Sequence, residues 1–334
     1  MPDPGVMASL REIDVAENSL SGTLPGGIGL LGNLESFVGS MNLFSGPVPD
    51  FFGILPNLQT LQLSKNALTG NLSATFFGSQ SLVEIDLSTN TLTGPINLQF
   101  DGLPLLQKLN LAQNSFTGPI PPNVGSLFSV VDLDFSDNFL TGEIPFELAI
   151  VPALETLRLR NNTLLGTIPA EIGVIVALRE LDLSFNFLSG DIPAGLALLQ
   201  GLEILRVSNN PLGSTLPPEL GTMTSLLELD ASFANLGGGL PDSYVSSPSL
   251  TKLVLNDNIL AGAIPPGTAS PPNLAEVRLD NNQLSGAIPI EIGNWISLGK
   301  LFCIDIDPST VVRLRDLLAQ VLTFFLHFVY EQKY

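Results

Sequence analysis

An asparagine returns every 24 residues in this chain, at Asn18, Asn42, Asn66, Asn90, Asn114, Asn138, Asn162, Asn186, Asn210, Asn258 and Asn282. The member due at 234 is Ala234, with Asn235 one place late, and no insertion or deletion breaks the count. Self-similarity at a short fixed period marks a stacked repeat, in which each unit buries its apolar face against its neighbours. Five residues before each repeat position stands an apolar residue, from Ile13 and Phe37 to Leu253 and Val277. Three before it there is usually another, as at Leu63, Leu111 and Leu183. This alternation predicts a short strand with one buried face. Copies side by side predict a parallel sheet that advances about 4.8 Å per repeat. A buried asparagine must satisfy its amide, and backbone groups of its own and the adjacent coil are the abundant partners. Asn66, Asn90, Asn114, Asn138, Asn162, Asn186 and Asn210 are therefore expected to form a structural ladder. Gly follows four places later, with Ser214 the exception, and then an aliphatic residue and usually Pro, as in Ile144-Pro145. The glycine permits a turn, and the proline suits a segment outside a paired strand interior. What remains, such as 171–175, is too short for a long helix and predicts 3₁₀ or irregular turns.

The stretch 178–193, with Leu178, Leu181, Leu183, Asn186, Leu188, Gly190, Ile192 and Pro193 in phase, resembles the plant-type leucine-rich repeat. The resemblance covers residues 10–301. It implies an α/β repeat fold: a right-handed solenoid of about twelve 24-residue repeats, with a concave parallel β-sheet and a second, shorter strand around the Gly-x-Ile-Pro segment. It also implies binding of a protein, peptide or small ligand on the concave or lateral face. Residues 1–9 read as an incomplete lead-in, and 302–334 as a tail.

Formal net charge is −19. From Pro308 onward, three bases (Arg313, Arg315, Lys333) stand against two acids (Asp316, Glu331), so the rest of the chain carries −20. Nucleic acid is excluded as a natural partner by this balance, since phosphate binding needs basic patches. A basic or neutral ligand, or solubility alone, fits it. Cys303 is the only cysteine, so no intramolecular disulfide forms. The start, Met1-Pro2-Asp3-Pro4-Gly5, lacks the charged and apolar regions of a signal peptide. Two readings follow: an intracellular repeat protein, or a fragment of a secreted one. The sequons at Asn71 and Asn161 discriminate weakly between them.

Specificity in such a sheet is expected at the positions beside the buried strand residues. Four before the asparagine, Asp134, Arg158, Asp182, Arg206 and Asp230 alternate in sign. Neighbours about 5 Å apart would attract. The row reads either as surface ion pairs, worth about 0–1 kcal/mol each, or as a charged rail for a ligand. Two places further out, Glu84, Asp132, Glu180 and Glu228 accompany Asp86, Asp134, Asp182 and Asp230 at a 48-residue spacing shared by Phe185 and Phe233. These acids make the central concave face the candidate site for a basic partner segment, with the two phenylalanines as anchors.

Chemistry beyond binding finds little support. The only histidine is His327, outside the repeats, so a Ser-His-Asp triad has no base there. Clustered zinc ligands, calcium-loop spacing and a phosphate loop are not seen in the sequence, and no cofactor is expected. After Leu301 the register fails. Asp307-Pro308 reads as a helix start, and 311–330 as an amphipathic C-terminal helix. It is expected either to cover the last coil or to associate with a membrane, although a span needs about 20 apolar residues. The function expected is a non-enzymatic recognition module of the receptor-like type, binding a protein or peptide. Alternatives are a secreted inhibitor of a cell-wall-degrading enzyme and an intracellular scaffold.

Overall fold

The computed structural model describes residues 9–96 and 100–303. The expected C-terminal helix, with Asp307 and His327, lies outside the described residues, as does most of the lead-in. The chain forms two compact units, Met1–Leu188 and Ser189–Tyr334.

In the first unit the main sheet is parallel, with strands Glu12–Asp14, Ser36–Val38, Thr60–Gln62, Glu84–Asp86, Lys108–Asn110, Asp132–Asp134, Thr156–Arg158 and Glu180–Asp182. Its register is one repeat per strand: Leu133 lies opposite both Leu109 and Leu157, and Leu157 opposite Leu181. In the second unit Ile204–Arg206, Glu228–Asp230, Lys252–Val254, Glu276–Arg278 and Lys300–Phe302 pair in the same way. Each strand is three residues long, and all but Glu12–Asp14 and Lys300–Phe302 bury their central side chain. Leu61, Ile85, Leu109, Leu157, Leu205, Leu229 and Leu253 are fully buried, each stabilising its coil by about 2 kcal/mol.

A second set of parallel strands in the first unit comprises Ser21–Gly22, Leu43–Gly46, Ala67–Gly70, Thr91–Pro95, Ser115–Pro119 and Phe139–Thr141. They begin before the Gly-x-Ile-Pro segment rather than around it, and five of the six end at its glycine or the proline following. Proline lacks an N–H for the ladder, and the glycine turns the chain out of the strand. Gly142, for example, has φ +75°. Where Ser214 replaces the glycine, the left-handed turn falls one residue earlier, at Gly213, with φ +76°. The remaining segments are 3₁₀ turns such as Ala170–Val174, as expected, and one α-turn, Asp242–Val245. Among the described residues no helix is long and apolar enough to cross a membrane.

The asparagine ladder holds the coils together. Asn138 donates from Nδ2 to the carbonyl of Leu111 in the preceding coil (3.0 Å) and to those of Phe135 and Ser136 in its own. Its Oδ1 accepts from the Phe116 N–H at 3.0 Å. Asn66, Asn90, Asn114 and Asn162 repeat this arrangement. Asn186 does the same within the first unit, and Asn258 and Asn282 within the second. Asn210 donates to Val207 and Ser208 of its own coil. Opposite this edge, Asn57, Ser81, Ser129, Ser249, Asn273 and Ser297, each fifteen after a repeat position, donate to carbonyls of the coil before.

The residue just before each repeat position is left-handed: Glu17, Met41, Lys65, Thr89, Gln113, Asp137, Asn161, Phe185, Asn209, Phe233, Asp257 and Asn281 all have φ between +51° and +57°. Asn and Asp tolerate this region best, and β-branched and bulky residues tolerate it worst.

Two stability predictions follow from these geometries. Asn138→Ala removes the side-chain donor from three backbone carbonyls and the acceptor from one N–H, and should cost about 3 kcal/mol in urea unfolding. Asn18→Ala, at an exposed amide that bonds within its own coil, should cost less than about 1 kcal/mol. Equal losses would show that the inter-coil bonds do not matter. Thr89→Asn relieves a β-branched residue at φ +54° and should raise stability by up to about 1 kcal/mol; a loss in the same assay would count against strain there.

Candidate ligand-binding face

On the exposed face of each sheet lie the side chains six and four before the repeat position, with those two and one before it at the strand ends. In the first unit these positions hold ten acids: Glu12, Asp14, Glu17, Glu84, Asp86, Asp132, Asp134, Asp137, Glu180 and Asp182. They hold four bases: Lys65, Lys108, Arg158 and Arg160. In the second unit, through Phe302, they hold five acids (Glu228, Asp230, Asp257, Glu276, Asp280) and four bases (Arg206, Lys252, Arg278, Lys300). The first face is strongly acidic and the second nearly balanced.

Arg158 is the centre of the first face. Its guanidinium makes a two-pronged bond to Glu180, 3.0 Å from Nε and 2.6 Å from Nη2. It also lies 3.5 Å from Asp132 and 3.9 Å from Asp134. The bond to Glu180 holds the Arg158 pKa above its ordinary value. Lys108 reaches Glu84 at 3.4 Å. Burial pushes the carboxyls of Asp132 and Asp134 above the usual range, against the lowering pull of Arg158. In the second unit Arg206 bonds Glu228 at 3.1 Å, and Lys252 reaches the same carboxylate at 3.1 Å. Arg278 and Lys300 share Glu276. Glu228 is half-buried, and its bonds to Arg206 and Lys252 outweigh desolvation and hold its carboxyl below the usual range.

The sequence placed the attraction along the alternating row, between residues four before the asparagine. The tightest of these bonds run diagonally instead, from Arg158 and Arg206 to the glutamate six before the next repeat position. A glutamate has the reach to lie under the guanidinium fork, whereas the aspartates turn toward their own backbone. Asp86, Asp134, Asp182 and Asp230 each accept from the N–H two residues on, at Ser88, Ser136, Ser184 and Ser232. Three of those serines also donate their hydroxyl to the same carboxylate. These aspartates cap the strand end. Asp182, expected to face a ligand, is 4% exposed. The signal was present: a serine stands two places after each of the four. Phe185 and Phe233, expected as anchors, are exposed and left-handed, and Arg160 lies over the Phe185 ring at 4.9 Å.

Among the described residues no group of three His, Cys, Asp or Glu has metal-holding geometry. The Cys303 thiol is pushed up to about 12 by burial and by Asp280.

The two faces should respond oppositely to pH. A carboxyl with a raised native pKa contributes stability below the unfolded pKa and loses it as pH rises through the native value. Asp132→Asn should therefore raise the melting temperature at pH 7 and leave it unchanged at pH 3. A native pKa below the unfolded one stabilises above the unfolded value and is lost as pH falls. Glu228→Gln should therefore lower the melting temperature at pH 7, with the difference vanishing under acid. Thermal scans of both variants at the two pH values check the signs.

Models of the leucine-rich repeat match residues 56–116 and residues 9–31, 153–175, 177–199, 201–223 and 273–295, together more than half of the chain. No curated protein sequence matches it. Among solved structures it is similar to the plant peptide hormone receptor RGFR1 in complex with RGF2. There the identity is 33% and the TM-score 0.78, over 88% of this chain and 51% of that one. It is also similar to the leucine-rich-repeat ectodomain of the plant membrane receptor kinase GASSHO1/SCHENGEN3 from Arabidopsis thaliana, in complex with CASPARIAN STRIP INTEGRITY FACTOR 2. That match has 32% identity and a TM-score of 0.76, over 91% of this chain and 39% of that one. PEPR1, solved as PEPR1-AtPEP1, is 30% identical with a TM-score of 0.80, over 91% and 47%. The chain thus spans about half or less of these structures. With the repeat consensus, the ladder and the family matches in agreement, the chain belongs to the leucine-rich-repeat family, in its plant-type form.

Proposed function

We propose that this protein is a non-enzymatic recognition module whose first-unit sheet face holds an extended, basic protein or peptide segment. The observation that carries the reading is the excess of acids there, ten against four bases. In the second unit, by contrast, each of the four bases has a carboxylate partner. A cationic segment on the first face would relieve crowded like charges, including the burial-raised Asp132 and Asp134. The likeness to RGFR1, a plant peptide hormone receptor, supports a peptide as the occupant. The reading places the chain in receptor-like signalling or defence.

Fluorescence anisotropy with labelled octalysine and octaglutamate tests it. Octalysine should bind and weaken steeply between low and physiological salt, while octaglutamate should not bind. Asp134→Asn keeps the strand-end cap, since Asn110 makes the same bond to the Ala112 N–H. It should weaken octalysine by about fivefold. Asp257→Asn in the second unit should change affinity less than twofold, about the noise of the assay. Equal binding of the two peptides, or equal effects of the two variants, would overturn the reading.

A further inference from the structure

Both sequons, Asn71-Leu72-Ser73 and Asn161-Asn162-Thr163, lie in the first unit, and the fold places them on different surfaces. Asn71 directly follows the strand Ala67–Gly70 of the second set, outside the main-sheet face. It is exposed, and its side chain rests on the following coil at Gly94, where a Cβ would stand 3.0 Å from the Asn71 Cγ. Asn161 is one of the strand-end positions of the acidic face itself. It is exposed at φ +51° and donates from Nδ2 to Asp137 Oδ1 at 2.7 Å across the coil boundary. Arg160 beside it lies over the Phe185 ring. Arg158, the centre of the face, is three residues back, about 10 Å along an extended chain. Once folded, the Asn161 sequon is closed to a transferase. The Thr163 hydroxyl, which the transfer needs, donates to the Leu140 carbonyl at 2.7 Å, and Asn162 is buried in the ladder. Modification there has to precede docking of the coil. Afterwards Nδ2 still keeps one N–H, which is all that the bond to Asp137 uses.

We propose that Asn161 is an N-glycan acceptor whose occupancy masks the acidic face, whereas a glycan at Asn71 leaves that face open. In the transfer, Asn161 Nδ2 gives one proton to the transferase and bonds to the anomeric carbon of an oligosaccharide carried on a lipid pyrophosphate. The bond from that carbon to the pyrophosphate oxygen breaks, and the lipid pyrophosphate leaves. The product is bulky and sits on the surface. It obstructs an extended basic segment by volume and leaves the charge of the acids unaltered. The inference deepens the acidic-face reading and rests on its receptor-like form, under which the chain is exported.

The test expresses the full chain behind an added secretion signal, in cells restricted to uncharged high-mannose glycans, and follows octalysine by fluorescence anisotropy. Asn71→Gln leaves only the Asn161 sequon. Asn161→Gln and, independently, Thr163→Val leave only the Asn71 sequon, and the double variant Asn71→Gln/Asn161→Gln has neither. Glutamine is tolerated at 161, since Gln113 holds the equivalent position at φ +55°. Intact mass should show one glycan on each single variant. The Asn161 glycoform should bind octalysine about tenfold more weakly than the glycan-free double variant, and trimming to a single N-acetylglucosamine should restore most of the affinity. The Asn71 glycoforms should bind within about twofold of the glycan-free chain. An Asn161 sequon that stays unmodified, or an Asn161 glycoform that binds as well as the glycan-free chain, overturns the inference and leaves the acidic-face reading standing. Equal weakening by the Asn71 glycan overturns it as well, since obstruction would then not depend on place. If the glycan-free chain does not bind octalysine, both readings fail.

Discussion

The structure depends on a buried primary amide that belongs to two coils at once. A strand of three residues forms too few main-chain bonds to hold a stack by itself. Each ladder asparagine adds donors to carbonyls on both sides of a coil boundary and accepts from an N–H that the tight turn would otherwise leave unmet. No other side chain offers two donors and an acceptor on so short a stem. An aspartate would place charge inside the stack, and a leucine would leave the carbonyls bare. The 24-residue count is rigid for the same reason: a slip of one residue takes the amide out of reach of every partner.

With the interior so constrained, variation is confined to the outer positions of the strands, and there the two units differ. The first unit gathers acids around one arginine that already serves Glu180. In the second unit the bases of the face are divided between Glu228 and Glu276. The contrast separates charge that stabilises the protein from charge left over for something else. The same sheet geometry supports both, so function in this architecture is written in side chains that the stack itself does not need.

Most of the architecture was legible in the sequence because the fold repeats. The strand positions, the ladder and the 3₁₀ turns each recur often enough for a pattern to replace a propensity. What escaped was conformational or diagonal. Nothing in the letters Thr89 or Phe185 announces a positive φ; only the run of Asn, Asp and Lys at the same position in other coils hints at it. The aspartates looked like free ligands because their serine partners, two residues on, read as ordinary polar filler. Ion pairing was assigned between equivalent positions, since periodicity directs attention along rows. Side-chain length decided the matter: the glutamate two positions out could reach the guanidinium and the capped aspartate was already engaged. Residues without a periodic neighbour, after Leu301, offered no such leverage.

The one missing member of the ladder alters the mechanics of the stack. In other coils, the N–H two after the asparagine is taken by the asparagine of the following coil. At Leu212 the following coil offers Ala234, and the Leu212 N–H bonds back to Asn210 of its own coil at 2.9 Å. Main-chain bonds from Val207, Asn209 and Gly213 still bridge that boundary, as do the Arg206 bond to Glu228 and the Ser249 hydroxyl, but the asparagine clasp is gone. Solenoid energetics are close to a sum over neighbouring interfaces, so this joint lacks one contribution that the joints closed by Asn258 and Asn282 keep. In slow solvent exchange the Leu212 edge of the second unit would open more readily than the edges that Asn258 and Asn282 close.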